Sequence, residues 1–161
     1  MEIIAFSFLA LFFGLAVFNC VTAPRLHRLR IDSNDPLPTA SVLIPARNEA
    51  HNLKNLIPSL LRSEYTNFKI RILDDDSEDE TRQVAETLLS ASQIPYQIIR
   101  GQKWSPEFGL TGKNWACHQL SQAAHEEIFI FCDADVTISP KLTERTLRLI
   151  QQNPKASGMS G

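Results

Sequence analysis

Lys69-Ile-Arg-Ile-Leu-Asp-Asp-Asp-Ser-Glu-Asp-Glu-Thr81 is the stretch that decides the fold. A short run of strand character, Lys69 to Leu73, ends directly in three aspartates. A helical pattern follows, with Val84, Ala85, Leu88 and Leu89 as its buried face. Ser77 and Glu80 stand at capping-box spacing and mark the helix start. One strand, one turn and one helix are thus written into about twenty residues.

The same unit recurs on both sides. Upstream, Ser41-Val-Leu-Ile-Pro45 is a short apolar run closed by proline. Leu53, Leu56, Ile57, Leu60 and Leu61 then repeat at helical spacing, and Pro58 is expected to kink or restart that helix. Downstream, Tyr96-Gln-Ile-Ile99 is a third strand. A glycine-marked loop runs from Gly101 to Gly112, and a helix from about Lys113 to Ala124 follows. Ile128-Phe-Ile-Phe-Cys132 is continuously apolar, as expected of a strand buried on both faces. Ser139-Pro140 reads as an N-cap with proline at the first helical position, ahead of Leu142, Thr146, Leu149 and Ile150. Four alternations of strand and helix predict a parallel sheet with helices on both faces. Asn153-Pro154 closes the last helix, and Ala156 to Gly161 reads as the start of a further strand. The expected domain is therefore incomplete on its C-terminal side.

Length and composition set the outer bounds. The 161 residues suit one domain better than two. Apolar residues at 43% and charged residues at 21% exclude disorder as a whole-chain description. Sixteen basic against eighteen acidic residues argue against a nucleic-acid binder. Three cysteines make no disulfide framework and share no metal-type spacing with histidines, so they read as small thiols in a reducing compartment.

The N-terminal segment stands apart. Ile3 to Ala23 carries no charge. At about 1.5 Å per residue it reaches about 31 Å, matching a hydrocarbon core of about 30 Å. A cleaved signal peptide would want a basic start, but Glu2 follows Met1. The basic residues Arg25, Arg28 and Arg30 come after the run instead. The expectation is an uncleaved single-pass anchor over residues 1–23, with the α/β domain held in the cytoplasm. Residues 24–40 form a basic flank and linker, and residues 41–161 the domain.

In open parallel sheets ligands bind beyond the carboxyl ends of the strands. Pro45, Ala46, Arg47, Asn48 and Glu49 follow the first strand. Asp74, Asp75 and Asp76 follow the second, and Asp133 and Asp135 the fourth. Two aspartates two residues apart face one way in an extended segment. Oxygen ligands of this kind suit Mg²⁺ or Mn²⁺, which take further ligands from water and substrate phosphates. The ordinary alternatives are carboxylates that solvate a strand end or cap the next helix. Three acids in a row repel one another and invite a partner, such as the N–H of a nucleobase or a ribose hydroxyl. Lys113 opens a helix after Gly112, where an ammonium suits a diphosphate, and equally suits solvent.

Four motifs in order carry a resemblance: Val42-Leu-Ile-Pro-Ala-Arg-Asn-Glu49, Leu73-Asp-Asp-Asp-Ser-Glu-Asp-Glu-Thr81, Gly112-Lys113 and Asp133-Ala-Asp135. Together they resemble family 2 glycosyltransferases of GT-A fold over about residues 41–161. Gly109-Leu-Thr-Gly-Lys-Asn-Trp-Ala116 is also similar to a loop of membrane-anchored members linked to hopanoid or carotenoid glycosylation. The resemblance implies a Rossmann-like nucleotide-binding domain behind the anchor. It implies that Pro45, Ala46, Arg47 and Glu49 line a nucleotide pocket, and that Asp74 and Asp75 contact base and ribose. It places Lys113 near the diphosphate and Asp133 by the ribose. Asp135, with Asp133, would bind the metal, Mg²⁺ or Mn²⁺. The implied partners are a nucleotide-diphosphate sugar and a lipid or membrane-associated acceptor.

Two departures qualify it. Asp76 stands where many members have glycine, a minor change because aspartate tolerates turns. No acidic motif after Asp135 matches the family's general base, so the catalytic residue is unknown, and Glu144 has the wrong context. A general base is worth about 10²–10⁴-fold, so this chain alone is expected to be slow or inactive on acceptors. The competing readings are a truncated, non-catalytic nucleotide-sugar binder, a receiver-type phosphorylation switch and a nucleotidyltransferase. The third strand ends in Arg100-Gly101 rather than in a phospho-acceptor aspartate. The turn after the first strand has no glycine-rich loop.

Overall fold

The computed structural model describes residues 36–105, 109 and 111–152. These residues belong to one compact unit. The elements alternate: β1 (Ala40–Ala46), α1 (Ala50–Leu61), β2 (Phe68–Asp74), α2 (Thr81–Ser90), β3 (Tyr96–Arg100), α3 (Gly112–Ala123), β4 (Ile128–Phe131) and α4 (Leu142–Gln152). All strands pair in parallel in the order β3-β2-β1-β4. The expected α/β parallel sheet is what the chain forms.

Alternation along each strand sorts the core into two layers. Val42, Ile44, Ile70 and Ile72 face α1, α2 and α4, and pack with Leu53, Leu56, Ile57, Leu60, Ala85, Leu89 and Leu147. Leu43 and Leu73 point the other way and meet Ala116, Leu120 and Ala124 on α3 and just beyond it. Each fully buried Leu or Ile contributes about 1.5–3 kcal/mol relative to exposure, so the first, larger layer carries most of the stability.

Several local expectations change in three dimensions. Pro58 lies inside α1, which runs through it unbroken to Leu61. The buried positions of α2 are Thr81, Ala85 and Leu89, while Val84 and Leu88 are only partly covered. In α4 the buried positions are Thr143, Leu147 and Leu149, and Ser139-Pro140 forms a turn ahead of the helix rather than its first residues. The strand β4 is not buried on both faces. Phe129 and Phe131 are 41% and 50% exposed, because α3 lies over β1 and β2 and leaves that side of β4 open among the described residues.

Residues 36–39, read as the end of a linker, are tied to the domain. Tyr65 donates to the Pro38 carbonyl at 2.6 Å, and Gln151 to the Pro36 carbonyl at 2.8 Å. Among the described residues no helix is long and apolar enough to cross a membrane. The anchor expected over Ile3–Ala23 lies outside the described residues, as does the strand start expected at Ala156–Gly161.

Candidate functional site

The strand order creates the site. The helices α1 and α2 cover one face and α3 the other, so the loops leaving β1 and β2 turn away from the connection that leads from β3 into α3. Divergence at a switch point opens a crevice beyond the carboxyl ends of the strands. A cleft of about 350 Å³ lies there, lined from β1 by Pro45, Ala46, Arg47 and Glu49, and from β2 by Asp75. The helix α3 contributes Gly112, Lys113 and Ala116, and the segment after β4 adds Asp133, Ala134 and Asp135.

Nearly all of the sequence-nominated residues therefore meet in one place. Asp74 does not. Its side chain accepts a hydrogen bond from the Ser77 amide at 3.1 Å and is 8% exposed, so it shapes the turn while Asp75 faces the cleft. Glu144 is also elsewhere, paired with Arg148 at 2.9 Å along α4.

Asp133 and Asp135 share the cleft although β4 ends at Phe131 and Ala134–Asp135 form a turn. Burial still alternates, with Cys132 and Ala134 inward and the two aspartates outward. The Cys132 thiol is pushed up to about 11, first by burial and then by the two neighbouring carboxylates. It is an inert thiol that packs in the larger core layer.

The electrostatics are lopsided. Four carboxylates, Glu49, Asp75, Asp133 and Asp135, face two cations, Arg47 and Lys113. The Lys113 ammonium sits 2.8 Å from Asp133 Oδ1. That hydrogen bond, with the charge of Asp133 and a smaller push from Asp135, raises the lysine above its ordinary value. A cation of α3 is thus already paired with Asp133. Among the described residues no cluster of three or more His, Cys, Asp or Glu side chains is placed to hold a metal. Two outward carboxylates in an open cleft fit a hard divalent cation that completes its shell with water and phosphate oxygens.

Sequence reasoning missed the residues that hold the loops. Neither α1 nor α2 is capped by its own N-cap side chain. Ser77 and Glu80 do not form the expected capping box. Asp79 accepts from the Thr81 amide at 2.9 Å and from the Ala50 amide at 3.1 Å, and so serves both helices. Its carboxyl is held below the usual range, chiefly by the Thr81 hydroxyl. The Asp79-x-Thr81 spacing was the available signal for this cap.

This parallel α/β sheet, with a carboxyl-edge cleft that joins an acidic pair, further acids and a helix-start lysine, is consistent with a Rossmann-like fold of GT-A type. Residues 41–159 match the family described as Glycosyl transferase family 2, and the chain belongs to that family. It is 32% identical over 113 residues to the 4,4'-diaponeurosporenoate glycosyltransferase of Staphylococcus haemolyticus, a match covering 70% of this chain and 28% of that protein. It is 31% identical over 112 residues to the dolichol-phosphate mannosyltransferase of Pyrococcus furiosus, covering 69% of this chain and 30% of that protein. The chain thus spans about three tenths of the length of these relatives. Similarity to carotenoid-associated members, first drawn from Gly109–Ala116, agrees with the former. Among solved structures, the mannosyltransferase PcManGT from Pyrobaculum calidifontis, in complex with GDP-Man and Mn²⁺, aligns with a TM-score of 0.69 at 18% identity. That match covers 92% of this chain and 44% of the other. S. aureus TarS 1-349 with UDP aligns at 0.60 and 23% identity, covering 71% and 32%. These structural likenesses establish the fold.

Proposed function

We propose that this chain is the donor-binding part of a membrane-anchored glycosyltransferase that uses a nucleotide-diphosphate sugar, a divalent metal and a lipid or membrane-associated acceptor. The observation that carries the reading is the convergence of Arg47, Glu49, Asp75, Lys113, Asp133 and Asp135 on one cleft. In this reading Asp75 accepts hydrogen bonds from the base or ribose. Lys113 and the start of α3 face the diphosphate, where an ammonium and free backbone N–H groups favour negative charge. Asp133 and Asp135 would hold the metal, and a divalent cation there would supply Lewis-acid stabilisation of the departing nucleoside diphosphate.

The names of the two curated relatives specify lipid-related acceptors, and this supports the acceptor class. The PcManGT complex with GDP-Man and Mn²⁺ supports the donor class and the metal, with Mg²⁺ as the alternative ion. The apolar run Ile3–Ala23 and the arginines after it support a single-pass anchor with the domain in the cytoplasm. The alternative is a non-catalytic nucleotide-sugar binder with the same cleft.

Calorimetric titration of the full chain in detergent with UDP and GDP sugars, with Mn²⁺ and with EDTA, tests the reading. Saturable, metal-dependent binding is expected. Asp135→Ala should abolish the metal dependence without lowering the melting temperature, because the side chain is exposed. A folded chain that binds neither nucleotide, or an Asp135→Ala variant that binds like the parent in Mn²⁺, overturns it. Donor hydrolysis or transfer to a lipid acceptor by a longer chain separates the enzyme from the binder.

A further inference from the structure

The loop after β1 and the loop after β2 are fastened to each other as well as to their own helices. The Asn48 amide donates to Ser77 Oγ at 3.0 Å, and the Glu78 amide donates back to Asn48 Oδ1 at 2.8 Å. The Glu49 amide donates to Thr81 Oγ1 at 2.7 Å, and the Ala50 amide to Asp79 Oδ2 at 3.1 Å. The Asp75 amide closes the set on the Ala46 carbonyl at 2.8 Å. Asn48 holds φ at +56° to make its reciprocal pair, a conformation that asparagine reaches more readily than most residues.

We infer that Asn48 is a positioning residue for the donor site. It clasps the two loops into a single jaw, so that Arg47 and Glu49 are presented to the nucleotide at a fixed distance from Asp75. Asn48 itself does not line the cleft; its immediate neighbour Arg47 and then Glu49 do. The inference rests on the donor-site reading above. Its physical content is preorganisation: loops that are ordered before the ligand arrives lose less entropy when it binds.

The test uses the full chain in detergent with UDP and GDP as probes in Mn²⁺. Asn48→Gly keeps the positive φ and removes the acceptor. Asn48→Asp keeps both. With one inter-loop hydrogen bond lost, Asn48→Gly should weaken nucleotide binding about three- to tenfold, and Asn48→Asp should recover it to within about twofold. Hydrogen exchange on ligand-free protein gives a second readout. In Asn48→Gly the amides of residues 48–50 and 77–81 should speed up together while those of β1 and β2 stay protected. Parent-like affinity in Asn48→Gly overturns the inference. So does faster exchange confined to residues 48–50, or a loss of affinity matched by faster exchange throughout the sheet, which marks a merely structural role. If the parent chain binds neither UDP nor GDP, the donor-site reading fails, and the clasp is still judged by whether the two loops exchange together.

Discussion

Lys113 and Asp133 show how much a single pair can decide. Both are more than half exposed, at 64% and 54%, so water screens their attraction and the pair is easily exchanged. The ammonium pairs with one carboxylate oxygen of Asp133, and so competes for it with the proposed metal. Lys113→Met should therefore bind Mn²⁺ more tightly in the absence of nucleotide and bind UDP or GDP more weakly in its presence. Titration calorimetry of Mn²⁺ alone, and of UDP or GDP in saturating Mn²⁺, checks both signs. Gly101 is the second such residue. A Cβ there would meet Leu73 Cδ2 at 3.0 Å, the Asp74 carbonyl at 3.1 Å and Asp75 Cα at 3.3 Å. Backbone atoms cannot swing aside as a side chain can. Gly101→Ala should cost about 1–3 kcal/mol in denaturant unfolding and, by displacing Asp75, weaken nucleotide binding. The sequence marked Gly101 only as the start of a loop, since a close approach between β3 and β2 is invisible without their pairing.

Between elements, the first helix holds the segment after the last strand. Ser59 is fully buried in α1, and its hydroxyl accepts from the Ile138 amide at 3.0 Å. Ser59→Ala leaves that buried N–H unpaired, at about 1–3 kcal/mol, and loosens the turn that carries Asp135. Mn²⁺ affinity measured without nucleotide should fall, and nucleotide affinity in saturating Mn²⁺ should fall less. By contrast, Leu147 in α4 packs into the large core layer away from the cleft. Leu147→Ala should cost about 2–5 kcal/mol of stability and leave nucleotide affinity unchanged below the melting transition. Helix positions were legible from apolar spacing, and so was the helix type. Which half of each apolar stripe is buried was not, because that depends on the neighbouring helices. The capping box shows the same limit: Ser77 had the right spacing, but its hydroxyl accepts from the Asn48 amide on the other loop.

Over the whole molecule, one ionic cluster ties the sheet together at the end opposite the cleft. Arg71 on β2 donates to Glu126 at 2.6 Å and also to Ser41 on β1, and Lys69 reaches Glu126 at 3.0 Å. The side chains of Arg71 and Glu126 are 7% and 8% exposed. Burial alone would raise the Glu126 carboxyl, but the hydrogen bonds from Arg71, Ser41 and Lys69 outweigh it and hold it far below its ordinary 4.5. A carboxyl that titrates lower in the folded than in the unfolded chain stabilises the fold above its unfolded value. That stability is lost as pH falls through and below 4.5, because the unfolded chain takes up the proton first. Chemical denaturation between pH 7 and pH 3 should show this loss. Glu126→Gln should be less stable at neutral pH and show a flatter acid limb. Truncation to alanine leaves Arg71 buried and uncompensated, at about 3–5 kcal/mol.

The sequence by itself determined the alternation of strand and helix, the parallel sheet and the placing of the acids at strand ends. Each of these follows from local apolar period and from where an apolar run stops. It also carried the family, because that rests on residue identity in order along the chain. Only the tertiary structure decided that Asp75 faces the cleft while Asp74 turns to Ser77. It likewise decided that Phe129 and Phe131 stand open, that Lys113 reaches Asp133, and that Asn48 grips the next loop. Those outcomes depend on strand order and on pairings between residues far apart in the chain. Local propensity says which way a backbone can turn, but only a partner in space fixes which way a side chain does.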